Sequence, residues 1–378
     1  MKLRAKSTIK HHFSAIKDPR VERSKRHLLI DIITLTLCAV VGGAETWEDI
    51  ELYGKCKYKW FQKFLKLPNG IPSHDTFNRV FARLDPEQLQ KCFLNWVKSI
   101  SSLIEREIIA IDGKTLRHSY DKSNNQKAIV MVSAWAQQQG LVLGQRKVEG
   151  KSNEITAIPE LLKVLYLKGA IVTIDAIGCQ KEIVSTIIEK EANYLITVKK
   201  NQRLLYEKIE ALFKQALKTD WAGGKHSQCK LKQAEHGRQE TRFYRSLTNL
   251  GLPLIAQETW CQINSLGMAE YMRVELNGKT TIERRYYISS LSLSAQEFSR
   301  IIRGHWSIEN QLHWVLDVAF HEDNSKISKD NAPENLAVIR HIALNLLKQD
   351  CREKGSIRSK RNRAGWDNEY LLSLLINS

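Results

Sequence analysis

The sequence predicts an α/β protein: a mixed sheet with helices on both faces, preceded by an all-helical segment and interrupted by a β-rich insertion. Three observations carry that expectation. Up to about residue 105 the apolar residues recur at three- and four-residue steps, the period of buried helix faces. From Glu107 onward, apolar runs of strand length (IIAID, IVMVSAWA, LVLGQRKV, AIVTID and YLITVK) are interspersed with helical stretches. Between Lys199 and Ser290 the pattern changes again, to one helix followed by arginine-rich, strand-like runs.

The first segment reads as a set of packed helices. LLIDIITLTLCAVV (28–41) is a buried helix ended by Gly42-Gly43, followed by helices from Thr46 and over Trp60 to Leu65. Ser73 and Asp75 are the expected caps of TFNRVFARL, which turns Phe77, Val80, Phe81 and Leu84 to one face and leaves Arg79 and Arg83 outside. After Asp85-Pro86 another helix runs to about Ile104, with Leu89, Phe93, Trp96 and Val97 inward. This helix-turn-helix spacing suits a major-groove reader. An ordinary bundle whose arginines form surface salt bridges fits the same residues equally well.

In the second segment IIAID and the meander IVMVSAWA and LVLGQRKV are strands, 153–167 a helix, AIVTID a strand, 180–191 a helix and YLITVK a strand. That order is the order of the ribonuclease H-like fold. The insertion is expected to hold a helix over 204–218, a polar loop over 223–237, and strands TRFYRSL, TWCQIN, YMRVEL and TTIERRYYIS, the last two joined by a tight hairpin at Asn277-Gly278. Its Arg238, Arg242, Arg245, Arg273, Arg284 and Arg285 offer either a platform for a DNA end or a solvated surface. The expected organisation is therefore 1–105 helical, 106–200 the first part of the sheet domain, 201–290 the insertion, 291–350 the rest of the sheet domain and 351–378 a basic tail.

Composition narrows the partners. Lys and Arg total 58 against 41 Asp and Glu, a formal net charge of +17 over 378 residues, and the excess gathers at the ends. Residues 1–30 carry nine basic residues against Asp18 and Glu22, and 351–366 carry six against Glu353. Two basic ends point to a polyanion, with nucleic acid ahead of a mere solubilising tail. Seven cysteines, odd in number and without a CxxC pair, argue for a reducing cytosol and against a zinc or disulfide framework. The longest apolar stretch, 28–44, is too short and too polar to span a bilayer, and no signal peptide is evident. A cytoplasmic, nucleoid-associated protein is expected.

The stretch HWSIENQLHWVLDVAFHED, from His305 to Asp323, carries the chemistry. Trp306, Leu312, Val315, Leu316 and Phe320 follow the period of a buried helix face, and Glu309 sits among them. Burying a lone carboxylate is costly, and the chain offers two more at the ends of apolar runs, Asp112 in EIIAIDGK and Asp175 in GAIVTIDAIG. Like charges about 4 Å apart repel by about 4 kcal/mol at an effective dielectric near 20, which a divalent, oxygen-preferring cation relieves. Trp306 and Trp314 are expected in the core, and His313 as packing or as support behind the ligands.

Taken together, FSAIKDPRVERSKRHLLIDI, GIPSHDTFNRVFARLDP, AIDGKTLRHS, TIDAIGCQ, KKNQ, EHGRQETR and HWSIENQLHWVLDVAFHED resemble the H-repeat-associated (Rhs-linked) DDE transposases of bacterial insertion sequences over nearly the whole chain. The resemblance implies metal-dependent DNA cleavage and strand transfer at the element ends. It implies Asp112, Asp175 and Glu309 as catalytic residues and ligands of two Mg²⁺ ions, with Mn²⁺ as substitute, and a homodimer on double-stranded DNA. Related enzymes place Tyr, Arg and Lys at −7, −4 and +7 from the glutamate; Ile302, His305 and Leu316 stand there instead. Candidate DNA contacts are Arg79, Arg83, Lys114, Arg117, Lys199, Lys200, Arg303 and His305. The alternatives are a catalytically silent relative that only binds DNA, and a related nuclease without strand transfer.

Overall fold

The computed structural model describes residues 9–102, 104–120, 127–149, 153–219, 221, 225–235, 238–248, 260–274, 279–352 and 354–376. Six helices come first: α1 (Ile9–Phe13), α2 (Leu29–Val41), α3 (Trp47–Cys56), α4 (Tyr58–Phe61), α5 (His74–Arg83) and α6 (Pro86–Ile100). Thr46 and Asp49 form a capping box on α3, and Asp85 accepts from Glu87 N at the start of α6. The expected caps of α5 differ. Ser73 holds the N-cap position, but its hydroxyl meets Thr76 Oγ1 at 3.2 Å rather than a backbone amide, and Asp75 lies inside the first turn.

Strands β1 (Ile108–Thr115), β2 (Val130–Ala136) and β3 (Leu141–Lys147), helix α7 (Glu154–Val164), β4 (Ile171–Ile174), α8 (Lys181–Glu189) and β5 (Asn193–Val198) follow in the expected order. Then come α9 (Arg203–Lys218), β6 (Lys225–Glu235), β7 (Arg238–Thr248), β8 (Ser265–Val274) and β9 (Thr280–Ser289). All nine strands form one sheet in the order β3-β2-β1-β4-β5-β9-β8-β7-β6. Only β1, β4 and β5 are mutually parallel. Their core residues are closed off on both faces, as parallel strands between helices require. The insertion is thus not a separate platform: β9 pairs with β5, Tyr287 opposite Thr197, and carries the central sheet outward.

Two expectations in the insertion are corrected. Most of the predicted polar loop 223–237 is β6, an edge strand whose polar composition hides its pairing with β7. The predicted strand TWCQIN does not form over its described residues, because Gln262 takes φ 52° and breaks the extended run. The proposed hairpin residues Asn277-Gly278 lie outside the described residues. The insertion arginines are largely ion-paired: Arg242 with Glu240 at 3.0 Å, Arg284 with Glu270 at 2.6 Å and Arg285 with Glu283 at 2.7 Å.

Side-chain alternation fixes the faces. Ile108 and Ile171 meet Phe298, Ile301 and Ile302 of α10 (Ala295–His305) on one face, while Ile109, Ile111 and Val172 share the other core with Ile158 and Leu161 of α7 and Ile183 and Ile187 of α8. After α10 come α11 (Trp314–Phe320), α12 (Ala332–Gln349), α13 (Ile357–Trp366) and α14 (Asn368–Ile376). Helix α12 ties the first helices to the sheet. Asn335 Nδ2 donates to Phe81 O and Leu84 O at 2.8 and 2.9 Å, and Asn345 exchanges two hydrogen bonds with the backbone of Val142 on edge strand β3.

The basic tail is partly structural. Lys360 and Arg361 are buried: Lys360 donates to Leu347 O at 3.0 Å, and Arg361 donates to Val40 O at the end of α2 and Ala319 O in α11 while lying over the Phe320 ring. Two of the six cations read as facing a polyanion therefore satisfy helix-end carbonyls instead.

Candidate active site

Strand register builds the first half of the site. Ile111 and Ile174 are the last partners across parallel β1 and β4, so the residues after them, Asp112 within β1 and Asp175 just past β4, follow side by side where that pairing ends. By the period of two, both share the face of Ile108 and Ile171, the face covered by α10. Asp175 Oδ1 accepts from Ile177 N at 3.0 Å, which fixes the chain just beyond β4.

The other half comes from α10 onward. Ser294 and Glu297 form a capping box, and the buried Phe298, Ile301 and Ile302 seat the helix on the sheet. At its end His305 Nδ1 lies 3.0 Å from Thr173 Oγ1. The predicted continuous helix is interrupted: Glu309–His313 form a π turn, with Trp314 N–H donating to Glu309 O. That turn changes the phase of the helix. Leu312, Leu316 and Phe320 are buried as expected, whereas Trp306 and Trp314 are 47% and 59% exposed, not core.

Within the turn, His313 Nδ1 is 3.1 Å from Glu309 Oε2 and 3.7 Å from Asp112 Oδ2. One donor atom from each of Asp112, Glu309 and His313 fits within 4.8 Å of the others. Burial above all, and then the charges of Asp175, Glu154 and Glu309, push the Asp112 carboxyl up to about 7, against the pull of the Gly113 amide. A proton thus relieves the crowding at neutral pH in the absence of any cation. Donors that close, two carboxylates and an imidazole, could hold a metal ion in place of that proton.

One residue at the site carries no obvious sequence signal. Glu154, the first residue of α7, reaches the site from below; burial and Asp175 raise its pKa, and a Cβ at Gly113 would lie 2.2 Å from its Oε1. A small cleft of about 80 Å³ beside Asp175 is lined by Thr197, Lys199, Arg285, His305 and Trp306. Arg285 lies over the Trp306 ring at 5.7 Å. Burial drives the His305 pKa down to about 4, so its ring is neutral at physiological pH.

The expected DNA contacts divide. Lys114 Nζ is held by Asp317 at 2.7 Å and Asp323 at 2.8 Å, with Glu322 at 3.9 Å, and its side chain is only 11% exposed; it serves the fold rather than an open surface. Arg117 is exposed and pairs with Asp323 at 3.1 Å. Arg79, Arg83, Lys199, Lys200 and Arg303 are exposed. Ile302 and Leu316 are buried, so neither presents an exposed polar or charged group in place of the expected Tyr or Lys.

Fold and site together define an α/β protein with an acidic cluster fitted to divalent cations at the ends of parallel strands. Residues 104–346 match the family described as "Transposase DDE domain" and residues 10–97 the one described as "DDE_Tnp_1-associated"; the chain belongs to the DDE transposase family, in its H repeat-associated group. It is 42% identical to "H repeat-associated putative transposase YhhI" of Escherichia coli K12 over 370 residues, 97% of each chain. It is 42% identical to "Putative transposase YncI" of E. coli O157:H7 over 368 residues, 96% of this chain and 93% of that one. A 72-residue stretch, 19% of this chain and 86% of the relative, is 43% identical to "Inactive transposase YbfQ" of E. coli K12. A cryo-EM structure of a piggyBac transposase synaptic complex with hairpin DNA aligns with 98% of this chain and 77% of its own, at TM-score 0.45 and 11% identity. Among the described residues no helix is long and apolar enough to cross a membrane.

Proposed function

We propose that this chain is an insertion-sequence transposase that cleaves DNA at the element ends and joins the freed 3′-hydroxyl to a target, with Asp112, Asp175 and Glu309 as its catalytic acids. The observation that carries this reading is the convergence of Asp112 and Glu309, 197 positions apart, on one cluster, with Asp175 in register beside Asp112. Strand order supports reading 106–200 and 291–350 as a ribonuclease H-like catalytic domain, 201–290 as its insertion and 1–105 as a DNA-binding domain. Asp112, Asp175 and Glu309 would hold a pair of Mg²⁺ or Mn²⁺ ions, which would supply charge stabilisation to the attacking and leaving oxygens of an in-line phosphodiester displacement.

The chain's own groups supply position. Asp112, once deprotonated, and Glu309 offer oxygens from opposite sides of the cluster, while Asp175 is fixed by the Ile177 amide. Lys199, Lys200, Arg303, Arg117, Arg79 and Arg83 form the DNA-facing charge, and His305 contributes a neutral ring beside Thr173. Two element ends must meet in one complex, so the working unit is a dimer on duplex DNA in the nucleoid.

The deciding experiment supplies purified protein with end-labelled DNA carrying the element's terminal inverted repeat. Cleavage and joining that require Mg²⁺ or Mn²⁺ and vanish in Asp112→Asn support the reading. Cleavage in a chelator overturns it, cleavage without joining favours a plain nuclease, and specific binding without cleavage favours a silent DNA-binding relative.

A further inference from the structure

His313 has one ring nitrogen against the acidic cluster and the other buried without a hydrogen-bond partner among the described residues. It is 4% exposed, on the inner side of the π turn, and its Nδ1 points at Glu309 and Asp112. Adjacent vertices of an octahedron with bonds of about 2.1 Å lie about 3 Å apart, and opposite vertices about 4.2 Å apart. The distances of 3.1 and 3.7 Å fall within that range, so the three donor atoms can share one ion.

The far side of the ring gives a second, independent observation. His313 Nε2 is buried without a hydrogen-bond partner among the described residues, and so is Nδ1 of His341 on α12. Both histidines line a cavity of only about 10 Å³, too small for more than one water. A histidine that ligates through Nδ1 carries its proton on Nε2 and needs an acceptor for it. His341, whose Nδ1 is likewise unpartnered, lines the same cavity.

We propose that His313 is itself a metal ligand, its Nδ1 completing a mixed oxygen and nitrogen set with Asp112 and Glu309. The inference rests on the reading of this cluster as a divalent-cation site and adds the kind of ion. An imidazole donor favours transition-series ions over the all-oxygen preference of Ca²⁺ and Mg²⁺. The site therefore binds Mn²⁺ in preference to Ca²⁺, and the preference resides in His313.

The test loads the full chain with Mn²⁺ and records pulsed electron paramagnetic resonance, which detects a directly bound nitrogen without any variant or turnover. The expected result is a ¹⁴N coupling that becomes ¹⁵N in protein labelled at histidine. It disappears in His313→Gln, where Mn²⁺ affinity drops about 10- to 100-fold and Ca²⁺ affinity measured by calorimetry changes little. Bound Mn²⁺ with no nitrogen coupling overturns the role of His313 and leaves the carboxylate site standing. Failure of the native chain to bind Mn²⁺ at all overturns both.

Discussion

Lys114 Nζ lies 2.7 Å from Asp317 Oδ1, joining the strand that carries Asp112 to the helix that follows Glu309. The same ammonium meets Asp323 at 2.8 Å and the buried Glu322 at 3.9 Å, and Glu322 also faces Arg340 at 3.6 Å. Two segments about 200 positions apart in the chain are thereby locked behind the acidic cluster.

Removing that cation breaks the Asp317 pair and leaves Asp323 with Arg117 and Glu322 with Arg340. Lys114→Ala should lower the free energy of unfolding by about 3 to 5 kcal/mol, measured by urea denaturation. Asp317→Asn should cost less, since Asp323 and Glu322 remain. An unchanged midpoint in Lys114→Ala would show that water replaces the ammonium.

The acids themselves should separate chemistry from fold. Asp112→Asn, Asp175→Asn and Glu309→Gln are near-isosteric and should each reduce cleavage by orders of magnitude while leaving DNA-end binding intact. Any double variant should fall little further, because the three act as one unit. Normal cleavage by Glu309→Gln would mean that the helix presents another residue to the metals.

Acidity gives a stability test. The Asp112 carboxyl titrates at about 7 in the folded chain against 3.8 ordinarily, so the folded state holds this proton more tightly than the unfolded state does. Its contribution is present below about pH 4 and is lost as pH rises to about 7. The metal-free protein should show a melting temperature that falls across that window, and Asp112→Asn should flatten the fall. Added Mn²⁺ should raise the melting temperature more at about pH 8 than at about pH 5, because ligation requires the deprotonated acid.

Glu154 should reveal itself through Gly113. A Cβ on Gly113 would lie 2.2 Å from Glu154 Oε1 and 2.5 Å from its Cδ, so Gly113→Ala must displace that carboxylate. Gly113→Ala and Glu154→Gln should each slow cleavage by about 10- to 100-fold, with the double variant no worse than either. Full activity in Gly113→Ala would remove Glu154 from the site.

Arg79 and Arg83 test the first helices. Each Arg→Ala change should reduce discrimination between the element end and random DNA by about 1 to 3 kcal/mol for a good base contact, read by competition binding. Equal weakening on both DNAs would assign them to the phosphate backbone, where a shallower salt dependence should accompany the loss.

What the sequence disclosed follows from physical range. Asp112 and Asp175 were legible because each ends an apolar run that can only be a buried strand, and strand order then set them side by side. Trp306 was misassigned because a regular helical period was carried across the end of α10 and the π turn that follows, and Trp314 because a tryptophan among apolar residues is ordinarily core. Lys114 looked free because its partners Asp317, Glu322 and Asp323 lie some 200 positions away. Glu154 resembled any acidic residue at a helix start. Strand β6 was hidden because an edge strand with a wet face needs little apolar alternation.

The π turn makes the site vulnerable in a particular way. It holds one residue more than an α-helical path would use, so deleting a single codon within 309–313 would let the helix close into regular α geometry. The helix beyond would keep its phase, because the turn is what absorbs the extra residue, while the residues within it would be re-aimed, moving Glu309 or His313 relative to Asp112. The inner strands would be untouched. On the function proposed above, such a copy would keep its fold and lose its chemistry, and would still compete for element ends with intact copies.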